Sequence, residues 1–377
     1  MFEDKWEEFR SRVSDPEVTL EVDGRGVPEE ALETGFIHWL TLVNAHGDDG
    51  KRYFIELVPM TGIAEAGVDI WMLEVGSETG TVEQIPGSIY KAARYPFTQA
   101  VRYTFPAGSL TMEHHEHHVS VDLPDFHLEC HDDKTWHYKV NDRDRDVQLE
   151  MIHYGVGFPT WYGREKPKSL TAHAIAYGYN WSGRIEGTLT IKGKKVNISG
   201  AALRERYVAV DQSAAEIGGW EDWIWFHFDE MFGSFYEQKF SGVKEVSLNI
   251  VDGSEFHPVG ELEIQHFEWA FHADLGAFVP TRYKVMMEVE AGMLELHGDI
   301  VESKLWGMRG GVPDAPLYTH NFDRLHGTFT YRDGRVVPLD NGYGGGCVRL
   351  WKPYPSMLMP NTGDQFTPYA DRVLLFE

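Results

Sequence analysis

The chain has little cysteine, little basic charge and no long apolar run, and each shortage removes a class of function. Among 377 residues only Cys130 and Cys347 are cysteines, too few for a disulfide framework, and no CxxC spacing offers a zinc or dithiol site. Both are expected as reduced, buried thiols. Lys and Arg number 34 against 59 Asp and Glu, a formal charge of −25. Such a surface repels phosphodiester backbones and anionic headgroups, so neither nucleic acid nor a membrane surface is expected as a partner. No stretch approaches the roughly 18 apolar residues of a membrane-spanning helix. The start, Met1-Phe-Glu-Asp-Lys-Trp-Glu-Glu8, lacks the apolar core of a secretion signal, and a cytoplasmic protein is expected. GxSxG, P-loop, HExxH and dinucleotide-binding fingerprints are also missing, and Gly342-Tyr-Gly-Gly-Gly-Cys347 follows no strand-to-helix pattern and reads as a flexible turn. No cofactor is expected.

What the chain does have is aromatic rings, at 13% of its residues, and a two-residue alternation broken by turn chemistry. The rings serve either a rigid core or the lining of an apolar cavity. One short acidic helix is expected over Lys5 to Val13. Strands then dominate: Phe36 to Val43, a polar Gly-containing loop Asn44 to Gly50, and Arg52 to Val58 form a hairpin, and Gly183 to Ile191 folds back on Lys195 to Gly200. Further strands are expected over Val246 to Val251, Gly260 to His272, Arg282 to Val289, Met293 to Ser303 and Gly327 to Tyr331. No period of 20 to 50 residues marks a solenoid or propeller. Antiparallel meanders of this length close into barrels or pack as sandwiches, which hides their edges. The expected fold class is all-β, with two barrel-like domains, 1–212 and 213–377, meeting near Val210 to Gly219.

The densest aromatic segment is Gly218-Gly-Trp-Glu-Asp-Trp-Ile-Trp-Phe-His-Phe-Asp-Glu230. Alternation along a strand puts Trp223, Trp225, His227 and Asp229 on one face and Asp222, Ile224, Phe226, Phe228 and Glu230 on the other. An acid among indole rings is kept protonated by desolvation, which suits a proton donor to a hydrocarbon. Asp229 or Asp222 is the candidate donor, Trp223 and Trp225 the candidate cation-stabilising rings, and His227 the group that orients acid or water. Packing between domains is the alternative reading of the same strand. In Leu203 to Asp211, Glu205, Tyr207 and Asp211 share one face, with Arg204 and Arg206 on the other; Glu205, Tyr207 and the upstream Tyr177 join the candidate substrate contacts. An edge strand with cross-strand ion pairs is the alternative there.

Several blocks resemble the hydroxyneurosporene synthase or carotenoid 1,2-hydratase group: Trp39 to Met60, Tyr179-Asn-Trp-Ser-Gly-Arg-Ile-Glu-Gly-Thr-Leu-Thr-Ile191, Val196-Asn-Ile-Ser-Gly-Ala-Ala-Leu-Arg-Glu-Arg206, Trp223-Ile-Trp-Phe-His227 and Tyr331-Arg-Asp-Gly-Arg335. The resemblance spans about residues 30 to 350. Where that group places a Trp-Gly pair after Arg204-Glu-Arg-Tyr207, this chain has Val208-Ala-Val-Asp-Gln212. The resemblance implies two lipocalin-like domains in tandem, and relatives that hydrate isoprenoid double bonds or, more distantly, act as Diels–Alderases on natural products. The leading expectation is therefore a cofactor-independent hydratase or dehydratase of an apolar, isoprenoid-like substrate. A cyclase or pericyclase is the enzymatic alternative, a carrier of hydrophobic ligands the non-catalytic one, and a homo-oligomer stays open.

Histidines are the remaining motif. His114-His-Glu-His-His118 evokes a metal site, but strict alternation splits it, with His115 and His117 on one face and His114, Glu116 and His118 on the other. A 2-His-1-carboxylate set would need His127, His131 or Asp132 from a following strand after the turn Leu123-Pro-Asp125. Solvated histidines are the plainer reading, and the site assignment includes no metal. His266 with Glu268, and His297 with Asp299, each share a strand face and read as acid–base or structural pairs.

Overall fold

Apolar–polar alternation interrupted by Gly, Asn and Asp turns produces strands along most of the chain. The computed structural model describes residues 18–27, 36–62, 65–95, 100–156, 159–169, 175–211, 221–238, 243–250, 255–256, 258–273, 277–305 and 317–350. The helix expected over Lys5 to Val13 and most of the expected boundary, Val210 to Gly219, lie outside them. Among the described residues there is one short helix, α1 (Leu20–Asp23), capped by Thr19, whose hydroxyl accepts from the Val22 N–H. No helix there is long and apolar enough to cross a membrane.

Strands of the first half are β1 (Phe36–Gly47), β2 (Arg52–Thr61), β3 (Glu65–Glu74), β4 (Thr81–Gln84), β5 (Lys91–Arg94), β6 (Ala100–Pro106), β7 (Thr111–His114), β8 (His118–Leu123), β9 (Phe126–His131), β10 (Thr135–Asp142), β11 (Val147–Gly155), β12 (Thr160–Ser169), β13 (Ile175–Ile191) and β14 (Lys194–Asp211). Those of the second half are β15 (Glu221–His227), β16 (Met231–Gln238), β17 (Val243–Ile250), β18 (Glu255–Phe256), β19 (Pro258–His272), β20 (Ala277–Val289), β21 (Gly292–Leu305), β22 (Leu317–Tyr331) and β23 (Val336–Leu350). They form two sheets. The first has 12 strands, ordered β6-β3-β2-β1-β14-β13-β11-β10-β9-β8-β7, with β12 also on β13; the second has 11, ordered β18-β17-β16-β15-β23-β22-β21-β20-β19-β5-β4. The chain is all-β, and its two curled sheets are lipocalin-like. One hairpin crosses the expected 212/213 division: β4 and β5 leave the first half and extend the second sheet, β5 running parallel to β19.

Each sheet curls around its own core. In the first, Tyr103 of β6 donates to Asp142 at the end of β10 (2.6 Å), so one edge reaches the far strands. In the second, β17 returns against β19. The long hairpin of β13 and β14 turns on Lys192 and Gly193, both at positive φ (50° and 76°), the two-residue geometry that matches strand twist.

A third apolar cluster lies between the sheets, where Leu40, Leu42, Phe54, Trp71 and Leu203 meet Trp223, Trp225 and Phe322. The run Gly342 to Cys347, read as a flexible turn, is the middle of β23, paired with β15 and β22. A Cβ on Gly345 would stand 2.7 Å from the Phe54 ring, so the missing side chain is what lets the first sheet press a phenyl ring onto the second. Buried charges fasten the same junction. Lys304 reaches Glu56 (2.7 Å) and Asp69 (3.3 Å), His320 reaches Glu56 (2.7 Å), and Arg102 bonds Asp69 at 2.5 and 2.6 Å.

Candidate active site

Strand alternation divides the segment after Gly219 as the sequence reading has it. Trp223 and Trp225 face the junction between the sheets, while Ile224 and Phe226 face the second sheet's own core. Asp222 points to that core too, fully buried, with its Oδ1 2.8 Å from His266 Nε2. β15 ends at His227, and Asp229 and Glu230 form an exposed bend closed by the Phe228 N–H to Met231 carbonyl bond (2.7 Å). Asp229 therefore lies in water and not in the expected aromatic wall. Carboxylates settle at a turn because solvent, not indole, satisfies them.

The remaining expected site residues lie in different places. Glu205 and Tyr207 face the junction, where His38 bonds Glu205 (2.7 Å) and stacks on Tyr207 at 5.0 Å. His227 is buried in the same layer but toward the other end of β1, against Asn44 and not His38. Burial, then the charges of Arg52 and His46, lowers its pKa to about 3, so the ring is neutral and accepts at Nδ1 from the Asn44 amide (2.9 Å). The indole N–H groups of Trp223 and Trp225 are buried there without a hydrogen-bond partner. Tyr177 belongs instead to the first sheet's interior, half-buried under the Arg25 guanidinium at 4.5 Å.

In that first interior both oxygens of the Asp23 carboxylate are paired. Arg204 Nη2 and the Tyr179 hydroxyl donate to Asp23 Oδ1 at 2.7 and 2.6 Å, and Trp136 Nε1 donates to Oδ2 at 3.1 Å. Burial alone would raise this carboxyl. Arg204 and the three donors outweigh it and hold Asp23 below its ordinary value. Arg206 donates to the backbone carbonyls of Asp23 (3.0 Å) and Arg25 and lies over Trp39 at 4.2 Å. The two arginines read as one face of a strand thus anchor α1 against the core of the first sheet.

The second interior holds an acid of the opposite kind. Asp323 on β22 is fully buried and accepts from the Tyr283 hydroxyl (2.9 Å); its Oδ1 has no partner, and among the described residues no cation reaches it. Burial pushes its pKa up to about 7, the tyrosine bond opposing and the Asp299 charge assisting. The geometry depends on Gly298. Tyr283 on β20 must cross β21 to reach β22, and a Cβ on Gly298 would sit 2.2 Å from the Tyr283 ring, so the ring lies flat over the glycine. Tyr283 is also Cα-paired with His266, their rings 6.0 Å apart. Asp222–His266 and Tyr283–Asp323 therefore form two adjacent hydrogen-bonded pairs in the core that holds Phe226, Phe228 and Phe235. A cleft of about 370 Å³ opens where β22 and β23 bulge, and it includes Leu325, a member of this core two residues from Asp323.

Sequence reading placed Glu268 beside His266, but β19 is irregular between them. The bulge turns Glu268 outward to Lys91 (2.5 Å) and Arg282 (3.2 Å), and His266 alone stays inside. His297 and Asp299 bond Glu295 and Arg282 on the outer face. Asp323 went unnoticed in the sequence, although alternation puts it on one face with Leu325, an apolar position that an acid does not normally hold.

No protein-family profile matches the chain, and no curated protein resembles it in sequence. Solved structures do. An AttH candidate from Nitrosomonas europaea superposes with a TM-score of 0.55 at 14% identity, covering 87% of this chain and 98% of its own. Kievitone hydratase from Nectria haematococca gives 0.54 at 11%, covering 90% and 92%. CghA in complex with Sch210972 gives 0.51 at 10%, covering 91% and 99%. At these identities the likeness shows the lipocalin-like fold over nearly the whole chain.

Proposed function

We infer that the chain is a cofactor-independent enzyme that adds water to, or removes it from, a double bond of an apolar, isoprenoid-like substrate, and that the reaction runs in the second sheet's interior. One observation carries this reading: Asp323 is a buried carboxyl with a raised pKa and an unpartnered oxygen, and no cation among the described residues reaches it. Protonated near neutrality, Asp323 delivers its proton to the alkene carbon; Tyr283 holds the carboxyl in place, and Phe226 and Phe228 stabilise the resulting cation with their π faces. His266, oriented by Asp222, takes the proton from the incoming water. Glu205, Tyr207, Trp223, Trp225 and His227 serve the junction of the sheets in this scheme, and neither they nor Asp229 transfers a proton. The resemblance to isoprenoid hydratases and the fold shared with kievitone hydratase support the same chemistry.

The test is incubation with a panel of isoprenoid polyenes in oxygen-18 water. Label in the product identifies hydration. An isomeric product bearing solvent deuterium in a parallel D₂O run identifies acid-initiated cyclisation, one without it a pericyclic step, and unchanged ligand a carrier. Asp323→Asn is expected to lower turnover on the order of 10²- to 10⁴-fold. Unchanged turnover would remove Asp323 from the mechanism.

A further inference from the structure

The histidines left unused by that site converge on the outer face of the first sheet. His114 to His118 is not a continuous strand: β7 ends at His114, and residues 115–117 make the turn into β8. Strand register then assembles a different set. Glu129 and His131 share a face of β9, His137 of β10 is paired with Glu129, and His118 of β8 is paired with His131. Glu129 Oε2 lies 2.9 Å from His131 Nε2 and 3.7 Å from His137 Nδ1. One ligand atom from each of the three residues falls within 4.8 Å of the others.

We propose that Glu129, His131 and His137 form a binding site for one divalent transition-metal ion of the zinc class. Two imidazoles and a carboxylate match the borderline-soft ions Zn²⁺, Co²⁺, Ni²⁺ and Cu²⁺ and not Ca²⁺ or Mg²⁺, which prefer oxygen alone. Bonds of about 2.0–2.2 Å place tetrahedral ligands roughly 3.5 Å apart, so closure needs side-chain shifts of about an ångström.

The surroundings already orient the ligands, and this distinguishes a site from a chance cluster. The Thr135 hydroxyl donates to Asp133 Oδ1 (2.6 Å), so its oxygen accepts from His137 Nε2 (3.3 Å) and leaves the Nδ1 lone pair facing Glu129. The other oxygen of Glu129 is held by His127 Nε2 (3.2 Å), whose Nδ1 bonds Asp122 (2.6 Å). Both arrangements are the outer-shell hydrogen bonds that fix a ligand's tautomer and direction. The ligands are between about one-quarter and just over one-third exposed, open to an entering ion, and His118 stacks on His131 with the ring centroids 5.2 Å apart.

Isothermal titration of the chelator-washed full chain with Zn²⁺ should show one tight site. His131→Ala, His137→Ala and Glu129→Gln should each weaken it by at least the 10–100-fold that loss of an outer-shell partner costs. His117→Ala, which removes a ring bonded to Asp132 outside the set, should leave it unchanged. Without any substitution, Zn²⁺ should protect His131 and His137, but not His117, from diethyl pyrocarbonate. Binding by the His131→Ala/His137→Ala double variant as tight as that of the original chain, or equal labelling of all three histidines, would overturn the proposal. Asp323→Asn should bind Zn²⁺ normally, which keeps this site separate from the proposed catalysis.

Discussion

The two curled sheets each bury an aspartate among aromatic rings, and they treat it in opposite ways. Asp23 in the first sheet has Arg204, Tyr179 and Trp136 around it; Asp323 in the second has Tyr283 and, among the described residues, no cation. Desolvation raises both carboxyls, yet Asp23 ends below its ordinary value and Asp323 near 7. The guanidinium decides the difference. A buried carboxylate with a cation is a structural clasp, here fixing α1 to the first sheet's core, whereas one without a cation tends to keep its proton. One fold thus pairs one buried acid with a cation and, among the described residues, leaves the other without one.

Removing the cation is the most severe way to break the comparison. Arg204→Met leaves Asp23 charged and uncompensated, and loss of one partner from a buried pair costs about 3–5 kcal/mol. Urea denaturation at pH 7 should show that loss. The Asp23→Leu/Arg204→Met double variant should recover much of it, because no lone charge remains.

Next in size is a pair of opposite pH slopes. Asp23 has a lowered folded pKa, so its stabilisation is present above the unfolded carboxylate value and is lost as pH falls below that range. Asp323 has a raised one. Between about pH 4 and 7 the folded state keeps a proton that the unfolded chain has released, so stability declines as pH rises through that window. Asp323→Asn should remove this decline and be more stable than the original chain at pH 8, on the order of 4 kcal/mol, with no gain below pH 4. Denaturation midpoints across that range decide it, and a variant less stable at pH 8 would mean that Asp323 is a clasp after all.

The sequence exposes part of this contrast and hides the rest for identifiable reasons. Period-two alternation correctly separates Trp223 and Trp225 from Asp222, Ile224 and Phe226, since a strand's pleat is a local property. It also puts Arg204 and Arg206 on one face. It fails where the pleat is broken: the irregularity in β19 separates His266 from Glu268, and the turn after β7 breaks up His114 to His118. Pairing across strands is non-local, so the meeting of Glu129 with His137 follows only from the register of β9 on β10. Asp323 is hidden for another reason. In Asn321-Phe-Asp-Arg324 it reads as a polar position, and what sets it apart is that no cation among the described residues reaches it across the interior, which depends on non-local pairing.

The smallest expected effect is the most specific. Tyr283 lowers the Asp323 pKa through its hydrogen bond, so Tyr283→Phe should raise it further. A hydrogen bond of this kind contributes about 1 kcal/mol, which corresponds to a shift of somewhat less than one pH unit. If the protonated carboxyl is the donor, activity falls as pH rises through its pKa, and the variant moves that alkaline limb upward while leaving the rest of the profile in shape. A purely structural tyrosine would lower turnover at every pH without moving the limb. Gly298→Ala acts on the same bond from below: the added methyl lifts the Tyr283 ring away from Asp323, and the limb should move in the same direction as in Tyr283→Phe. Coincident shifts in the two variants would trace the effect to the hydrogen bond, because they share that contact and alter different strands.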